Sequence, residues 1–390
     1  MHIAAVDNTF VFTISPVMKK VLTSLQLLFL FILPLFISAQ TAGNDSVKID
    51  YKKIYGFALG GDIRSALDLL PKEASPKISD KDKAFITNFR NRFAYQEDKS
   101  DYLPKADTSL YGLLQVYRDY WRPSILNNSR RYDTALFLNL IKYLQGIYPP
   151  SKAIDLKAGG EAIASSVAKY LKEYIVLKGM HTTGFGRTGS YLDLLVWKKQ
   201  VDTVYNLTLD GDPVAVHIVF MDDFISLGWE DYATLGKHYP GGWATKEALY
   251  AVKKAYDTNS EEFKVSYLSH EGRHFADYKL FPKLSSQDLE YRAKLTELSI
   301  AEETLYKTIE FFIHNANYES SNSHSIANFC VIRDLSKKLF HSDFEKDISK
   351  WKKIPIKKIH KESKKLLQKN TNDLNKRGKD VDYFIKEKRV

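Results

Sequence analysis

The sequence predicts an α+β fold in which an all-helical N-terminal domain precedes a domain that combines a small mixed sheet with helices. Apolar residues recur at helical spacing through residues 45–150, whereas residues 192–220 hold three runs rich in β-branched and apolar side chains. Strands followed by further helices, rather than alternating with them, are typical of α+β domains. A chain of 390 residues is long enough for two such domains.

The helical domain is predicted over residues 40–150. Gly60 and Gly61 separate a predicted helix pair within residues 51–70. Helical spacing continues to the two prolines at 149–150, which we take as the domain boundary, since proline cannot continue a helix.

The second domain is predicted over residues 151–345. Its expected elements are a helix at 160–178, strands at 192–197, 201–209 and 214–220, and a helix at 246–256. The segment Asp210-Gly211-Asp212-Pro213 separates the last two strands and predicts a hairpin turn.

The N-terminus has the features of an export signal. Two lysines precede an apolar run over residues 21–37, and cleavage is predicted after Ala39. Met18, directly before those lysines, is the more natural start, so residues 1–17 are interpreted as an extension. We therefore predict a signal peptide within residues 1–39 and an exported protein, periplasmic or secreted. An uncleaved membrane anchor is the alternative.

Positive charge is concentrated in a basic C-terminal tail. The formal net charge is +10, and residues 346–390 hold 16 Lys and Arg against 6 Asp and Glu, so the rest is near neutral. Nucleic-acid binding is not supported, because the tail lacks interleaved aromatic residues and the body is not basic. The tail is predicted to be a helix with a thin apolar face against the body. An anionic envelope surface is the alternative partner for it.

His270, Glu271 and His274 form an H-E-x-x-H pattern. Residues four apart lie about 40° apart around a helix, so both imidazoles face one side and can bind one cation. Glu271 is rotated about 100° from His270, near the metal but not bound to it. From there it can take a proton from a metal-bound water. The pattern predicts a zinc ion (Zn2+) held by the two histidines, with Glu271 as general base.

The surrounding residues place this pattern inside a helix. Asn259 and Ser260, followed by two glutamates, are typical of a helix start, and Pro282 ends the helix. A second helix is predicted to begin at Ser285 and to continue beyond Leu298.

The third metal ligand should come from this second helix, since catalytic zinc sites usually have three protein ligands and one open position. Glu290 and Glu297 are seven residues apart and share a helix face within about 20°. One of them can bind the metal while the other supports a ligand histidine. Asp277, which follows His274 on the motif helix, is a minor alternative that more plausibly orients an imidazole.

These residues resemble the gluzincin branch of the zincin metallopeptidases. In that branch the third ligand is a Glu near the start of the next helix, often with a small residue three positions later. Glu290 with Ala293 matches that pattern, and Glu297 also fits by distance. The resemblance covers residues 190–335 and implies a zincin-like catalytic domain.

The resemblance also implies metal-assisted hydrolysis of peptide bonds. Glu271 would pass the proton of the water to the leaving amine. Such sites add a donor for the developing oxyanion, and His324 in the polar stretch 317–324 is the first candidate. Tyr318 and His217 are the alternatives.

The leading hypothesis is an exported zinc metallopeptidase that acts on a peptide or protein substrate. The alternatives are a non-catalytic zincin-like interaction protein and a zinc amidase that acts on cell-envelope material. Two residues depart from the family pattern. Arg273 is charged where an uncharged residue is usual, and Lys294 stands where some members carry an Asp that supports a ligand histidine.

Overall fold

The structure is a computed structural model. It describes residues 48–71, 78–102, 110–127, 132–148, 154, 160–184, 186–209, 211–245, 247–320 and 322–385. The predicted signal peptide at 1–39 and the predicted boundary at 149–150 lie outside these residues. The described part is a mixture of helices and strands, which confirms the α+β class.

The chain divides into two compact units. Unit 1 holds the described residues up to Val201, together with Phe220–Thr245 and Tyr250–Lys253. Unit 2 holds Asp202–Val219, Lys246–Leu249 and the chain from Lys254 onward.

Six helices begin unit 1. The first five lie within residues 45–150, as predicted, and the sixth is the helix predicted at 160–178. They are α1 (Tyr51–Leu59), α2 (Ile63–Asp68), α3 (Asp80–Phe93), α4 (Tyr111–Asn127), α5 (Asp133–Ile147) and α6 (Gly160–Leu177). The side chains of Asp50, Asp62 and Ser79 accept backbone hydrogen bonds at the starts of α1, α2 and α3. Such caps satisfy amide groups that have no partner within the helix.

The strands form a five-stranded sheet of order β1-β4-β5-β7-β6 and a separate β2-β3 pair. They are β1 (His181–Thr182), β2 (Gly186–Thr188), β3 (Tyr191–Asp193), β4 (Leu195–Leu209), β5 (Asp212–Leu227), β6 (Gly242–Ala244) and β7 (Leu249–Val252). The short helix α7 (Trp229–Ala233) follows β5. The long strands β4 and β5 are neighbours joined by two residues, which confirms the predicted hairpin.

The helix predicted at 246–256 is wrong. This segment forms β7 and then a 3-10 turn at Lys253–Ala255. The ring of Tyr250 stacks on Trp243 of the neighbouring strand, with 5.0 Å between ring centroids. A short apolar run fits either structure, and pairing with neighbouring strands decides between them.

Unit 2 is built around one buried helix. Its elements are a π-helical segment (Glu262–Ser269), α8 (His270–Leu280), α9 (Ser286–Ile300), α10 (Leu305–His314), α11 (Ser323–Leu339), α12 (Ile348–Trp351) and α13 (Ile356–Arg377). Helix α9 is buried along almost its whole length and packs against α8, α11 and α13. Its central position allows side chains of α9 to meet those of α8.

The basic tail is part of unit 2. Ile359, Leu366 and Leu367 of α13 join the apolar core of this unit, and the lysines of α13 face outward. The predicted helix with a thin apolar face against the body is therefore confirmed. Among the described residues, no helix is both long and apolar enough to span a bilayer.

Candidate metal centre

The H-E-x-x-H residues begin α8, directly after the π-helical segment. As predicted, the helical run starts near Ser260, whose hydroxyl accepts the amide of Phe263 at 3.1 Å. The hydroxyl of Ser269 donates to the carbonyl of Lys264 at 2.8 Å, five residues back, which matches the wider π register. The run ends at Leu280, two residues before Pro282.

Gly272 allows α8 to approach the β4–β5 hairpin closely. A Cβ atom at this position would lie 3.0 Å from Leu207 and 3.3 Å from Val216. These distances are tighter than ordinary van der Waals contacts, so a larger residue here would require the side chains of Leu207 and Val216 to shift. The absence of a side chain at Gly272 therefore lets the motif helix lie against the hairpin.

His270 and His274 are both buried, and their ring centroids lie 4.8 Å apart. Nδ1 of His270 lies 2.7 Å from Oε1 of Glu297. Within the described part of the chain, Nε2 of His270 and both ring nitrogens of His274 have no hydrogen-bond partner. Buried polar atoms nearly always have partners, so these nitrogens indicate a ligand site.

His270, Glu271 and His274 can hold a metal ion, because each offers a ligand atom within 4.8 Å of the others. Glu290 approaches the same nitrogens from α9. Its Oε1 lies 3.3 Å from Nε2 of His274, and its Oε2 lies 3.5 Å from Nε2 of His270. Glu290 thus faces the nitrogens that lack hydrogen bonds, whereas Glu297 faces the opposite nitrogen of His270.

Local contacts anchor α9, which carries both glutamates. Ser285 caps it as predicted, accepting the amide of Asp288. Asp288 in turn accepts the backbone amides of Phe384 and Ile385 at 2.9 and 3.0 Å. The start of α9 is therefore tied to the C-terminal segment.

Asp277 is placed away from this group. Its two carboxylate oxygens accept from Arg292 at 2.7 and 2.8 Å, and both side chains are fully buried. A carboxylate already engaged by a bidentate guanidinium is a poor metal ligand. The prediction of Asp277 as an alternative metal ligand is therefore wrong, since its carboxylate binds Arg292. Arg273, the charged departure from the family pattern, is also buried and donates to the hydroxyl of Thr296 at 3.0 Å.

Of the three predicted oxyanion donors, His324 lies beside Glu290 and the two histidines of the candidate metal site. Asn322 caps the start of α11, and Nδ1 of His324 lies 2.8 Å from Oε2 of Glu290. Its side chain is 34% exposed, so His324 is open to solvent as well as to the site.

The other two candidates have different surroundings. Tyr318 packs its ring against Phe329, with 5.3 Å between centroids. His217 lies 3.4 Å from Asp202 on the hairpin. Successive strand residues point to opposite faces, so His217 faces away from the side on which Val216 meets Gly272.

Two site residues were not assigned roles from the sequence. Tyr278 lies one turn after His274, with ring centroids 6.4 Å apart, and its side chain is partly exposed. Burial and the charges of Glu271 and Glu290 raise its pKa. Its position four residues after His274 would have placed Tyr278 on the same helix face and so near the site. Lys294 is buried with its Nζ 3.6 Å from Oε2 of Glu290.

The charges of the site are strongly coupled. Burial would lower the pKa of His270, but the carboxylates of Glu290 and Glu297 outweigh it and raise that pKa to about 10. Burial would raise the pKa of Glu290, but His270 and the other imidazoles hold it well below its usual range. Burial also raises the pKa of Glu271, against the opposing effect of His274 and His270. A raised pKa makes Glu271 a stronger base.

This buried arrangement can bind a cation, keep one imidazole oriented and place a carboxylate beside the ion. The pKa directions show that the cluster attracts positive charge, which His270 supplies as a proton. No family model, curated protein or solved structure matches the chain.

Proposed function

We propose that this protein is an exported zinc metallopeptidase with His270, His274 and Glu290 as metal ligands. The distances between the ligand atoms carry the proposal. Zinc binds nitrogen and oxygen at about 2.0–2.2 Å in a tetrahedron, which puts neighbouring ligand atoms about 3.3 Å apart. The oxygens of Glu290 lie 3.3 and 3.5 Å from the two histidine Nε2 atoms. A charge-assisted hydrogen bond would be shorter, at about 2.7–2.9 Å.

The charge of the site supports a divalent ion. Glu271, Glu290 and Glu297 are all buried, at 1%, 3% and 4% exposure. Buried carboxylates are costly unless positive charge compensates them. A divalent cation held by the two histidines and Glu290 would provide most of that compensation.

The chemistry of the donors favours zinc over magnesium or calcium. Imidazole nitrogen suits zinc, whereas the harder cations prefer oxygen ligands. Three protein ligands leave one position open, as in catalytic zinc sites. Glu297 orients His270 through its Nδ1, a contact that typically supports a metal-binding imidazole.

When bound, zinc would lower the pKa of a water molecule and polarise the scissile carbonyl. Glu271 accepts the proton of the attacking water and delivers it to the leaving amine. His324 and Tyr278 are partly exposed beside this group and are the candidate donors to the developing oxyanion. The proposal that the protein is exported rests only on the sequence of residues 1–39.

The test uses residues 40–390, purified without chelator. We expect one zinc per chain by elemental analysis and cleavage of a mixed peptide library. Glu271→Gln should keep the zinc and lose about 10²- to 10⁴-fold in hydrolysis, because general-base catalysis contributes that much. Glu262→Gln is the matched control, since Glu262 is exposed and pairs with Lys307 at the surface.

Absence of zinc from the intact protein would contradict the proposal. Stoichiometric zinc without hydrolysis of any amide would instead identify a metal-binding interaction protein. Hydrolysis of cell-envelope amides without peptide cleavage would identify an amidase.

A further inference from the structure

A buried lysine lies beside the proposed third ligand. Lys294 follows Glu290 by one turn of α9, and its side chain is 5% exposed. Its Nζ lies 3.6 Å from Oε2 of Glu290 and 4.8 Å from the centroid of the Phe312 ring. Lysine is almost never fully buried without a partner. Its contacts here are a carboxylate and the face of an aromatic ring.

The two oxygens of Glu290 have different surroundings. Oε2 lies near Lys294 and 2.8 Å from Nδ1 of His324, and it is also 3.5 Å from Nε2 of His270. The contact of Oε1 in this group is Nε2 of His274 at 3.3 Å. The ammonium group of Lys294 and the ring of His324 therefore both lie on the Oε2 side of Glu290, although Oε2 has no hydrogen-bond partner among the described residues.

The number of charges points to a role for the lysine. The site buries three carboxylates, those of Glu271, Glu290 and Glu297. One divalent ion leaves a single negative charge, and the ammonium group of Lys294 balances it. Buried uncompensated charge is strongly unfavourable, and without a divalent ion Lys294 still compensates one of the three carboxylates.

We propose that Lys294 is a positioning residue that acts through its ion pair with Oε2 of Glu290 and lowers the affinity of the site for zinc. The inference rests on the proposed function. The positive charge of Lys294 repels a divalent ion and withdraws negative charge from its carboxylate ligand. It also compensates Glu290 in the metal-free protein, which lowers the gain on metal binding. Both effects reduce the affinity of the site for zinc. Because its carboxylate ligand donates less negative charge, the bound ion would be a stronger Lewis acid.

The inference predicts an unusual sign. Lys294→Met should bind zinc at least about tenfold more tightly than the wild type at pH 7.5, by competition with a fluorescent chelator. The metal-free variant should also unfold at a lower temperature. Lys294→Arg keeps the charge and should bind zinc like the wild type. Lys364→Met is the control for the loss of one exposed positive charge on α13.

Weaker or unchanged zinc binding by Lys294→Met would overturn the inference, because loss of a lysine with only a structural role would not strengthen zinc binding. Lys294→Gln is a second neutral variant, should the methionine variant fold poorly. If both neutral variants stay unfolded in saturating zinc while Lys294→Arg folds, the lysine serves folding alone and the inference is wrong. Failure of the wild type to bind zinc would refute the proposed function instead.

Discussion

Two buried polar clusters in unit 2 both contain carboxylates paired with cationic or imidazole side chains, but they differ in how completely they are hydrogen-bonded. In the closed cluster, Arg292 donates to both oxygens of Asp277 and to Asn370 and Thr371 at 2.7–3.0 Å. Nδ2 of Asn370 is its one buried atom without a partner among the described residues.

The open cluster consists of His270, His274, Glu290 and Glu297. Three of its histidine nitrogens have no hydrogen-bond partner in the described part of the chain, although the side chains are equally buried. Burial therefore does not distinguish a structural cluster from a ligand site. The position of the unpaired atoms does, because the Nε2 atoms of His270 and His274 both lie within 3.5 Å of the Glu290 carboxylate.

The largest expected effect breaks the closed cluster. Asp277→Ala leaves the Arg292 guanidinium buried without its carboxylate and should lower the free energy of unfolding by about 3–5 kcal/mol. Denaturant titration with and without zinc measures this. The loss should be the same in the presence of a chelator. Asp373→Ala, which breaks an ion pair with Lys369 at the surface of α13, should change stability little. Full rescue of Asp277→Ala by zinc would place Asp277 in the open cluster.

The next effect separates the two glutamates of the open cluster. Glu290→Gln removes a proposed ligand and should weaken zinc binding by more than about a hundredfold. Glu297→Gln removes only the partner of His270 Nδ1 and should weaken it by about 10- to 100-fold. Chelator competition on the two folded variants ranks them. The reverse order would identify Glu297 as the ligand.

The last effect is a pH dependence of the metal-free protein, which is spread over several pH units. The pKa of His270 is raised from 6.5 to about 10, so its contribution to stability is complete below pH 6.5 and is lost as the pH rises towards 10. The raised pKa of Glu271 acts in the same direction. Thermal unfolding in chelator should therefore show a falling melting temperature across this range.

If His270 is a zinc ligand as proposed, bound zinc would take the place of its proton, so the metal-loaded protein should show a flatter profile over the same pH range. The metal-free His270→Asn variant should likewise lose most of the slope. A slope that persists in this variant would assign the titration to another group.

The helices of the site could be predicted because their ends are coded locally. Ser260, Pro282 and Ser285 set helix ends through contacts within a few residues, and the structure has these ends. The hairpin at 210–213 was predictable for the same reason. The π-helical segment before His270 has no comparable signal, since its register depends on packing.

Prediction failed where a segment's neighbours decide its structure. The residues around Tyr250 were assigned to a helix, but their pairing within the sheet makes them a strand. Asp277 lies one turn after His274 and was expected to orient an imidazole, with metal binding as a minor alternative. Its partner Arg292 lies on another helix, and no local pattern predicts that contact.

The sequence by itself determined which residues bear the chemistry of the site. Helical spacing places His270, Glu271 and His274 together, and seven-residue spacing aligns Glu290 with Glu297. Only the tertiary structure decided which glutamate faces which nitrogen. That choice depends on how α8 and α9 pack, and a rotation or shift of either helix would change it. The same packing brings Lys294 and His324 to Glu290, because contacts between helices are set by the whole core.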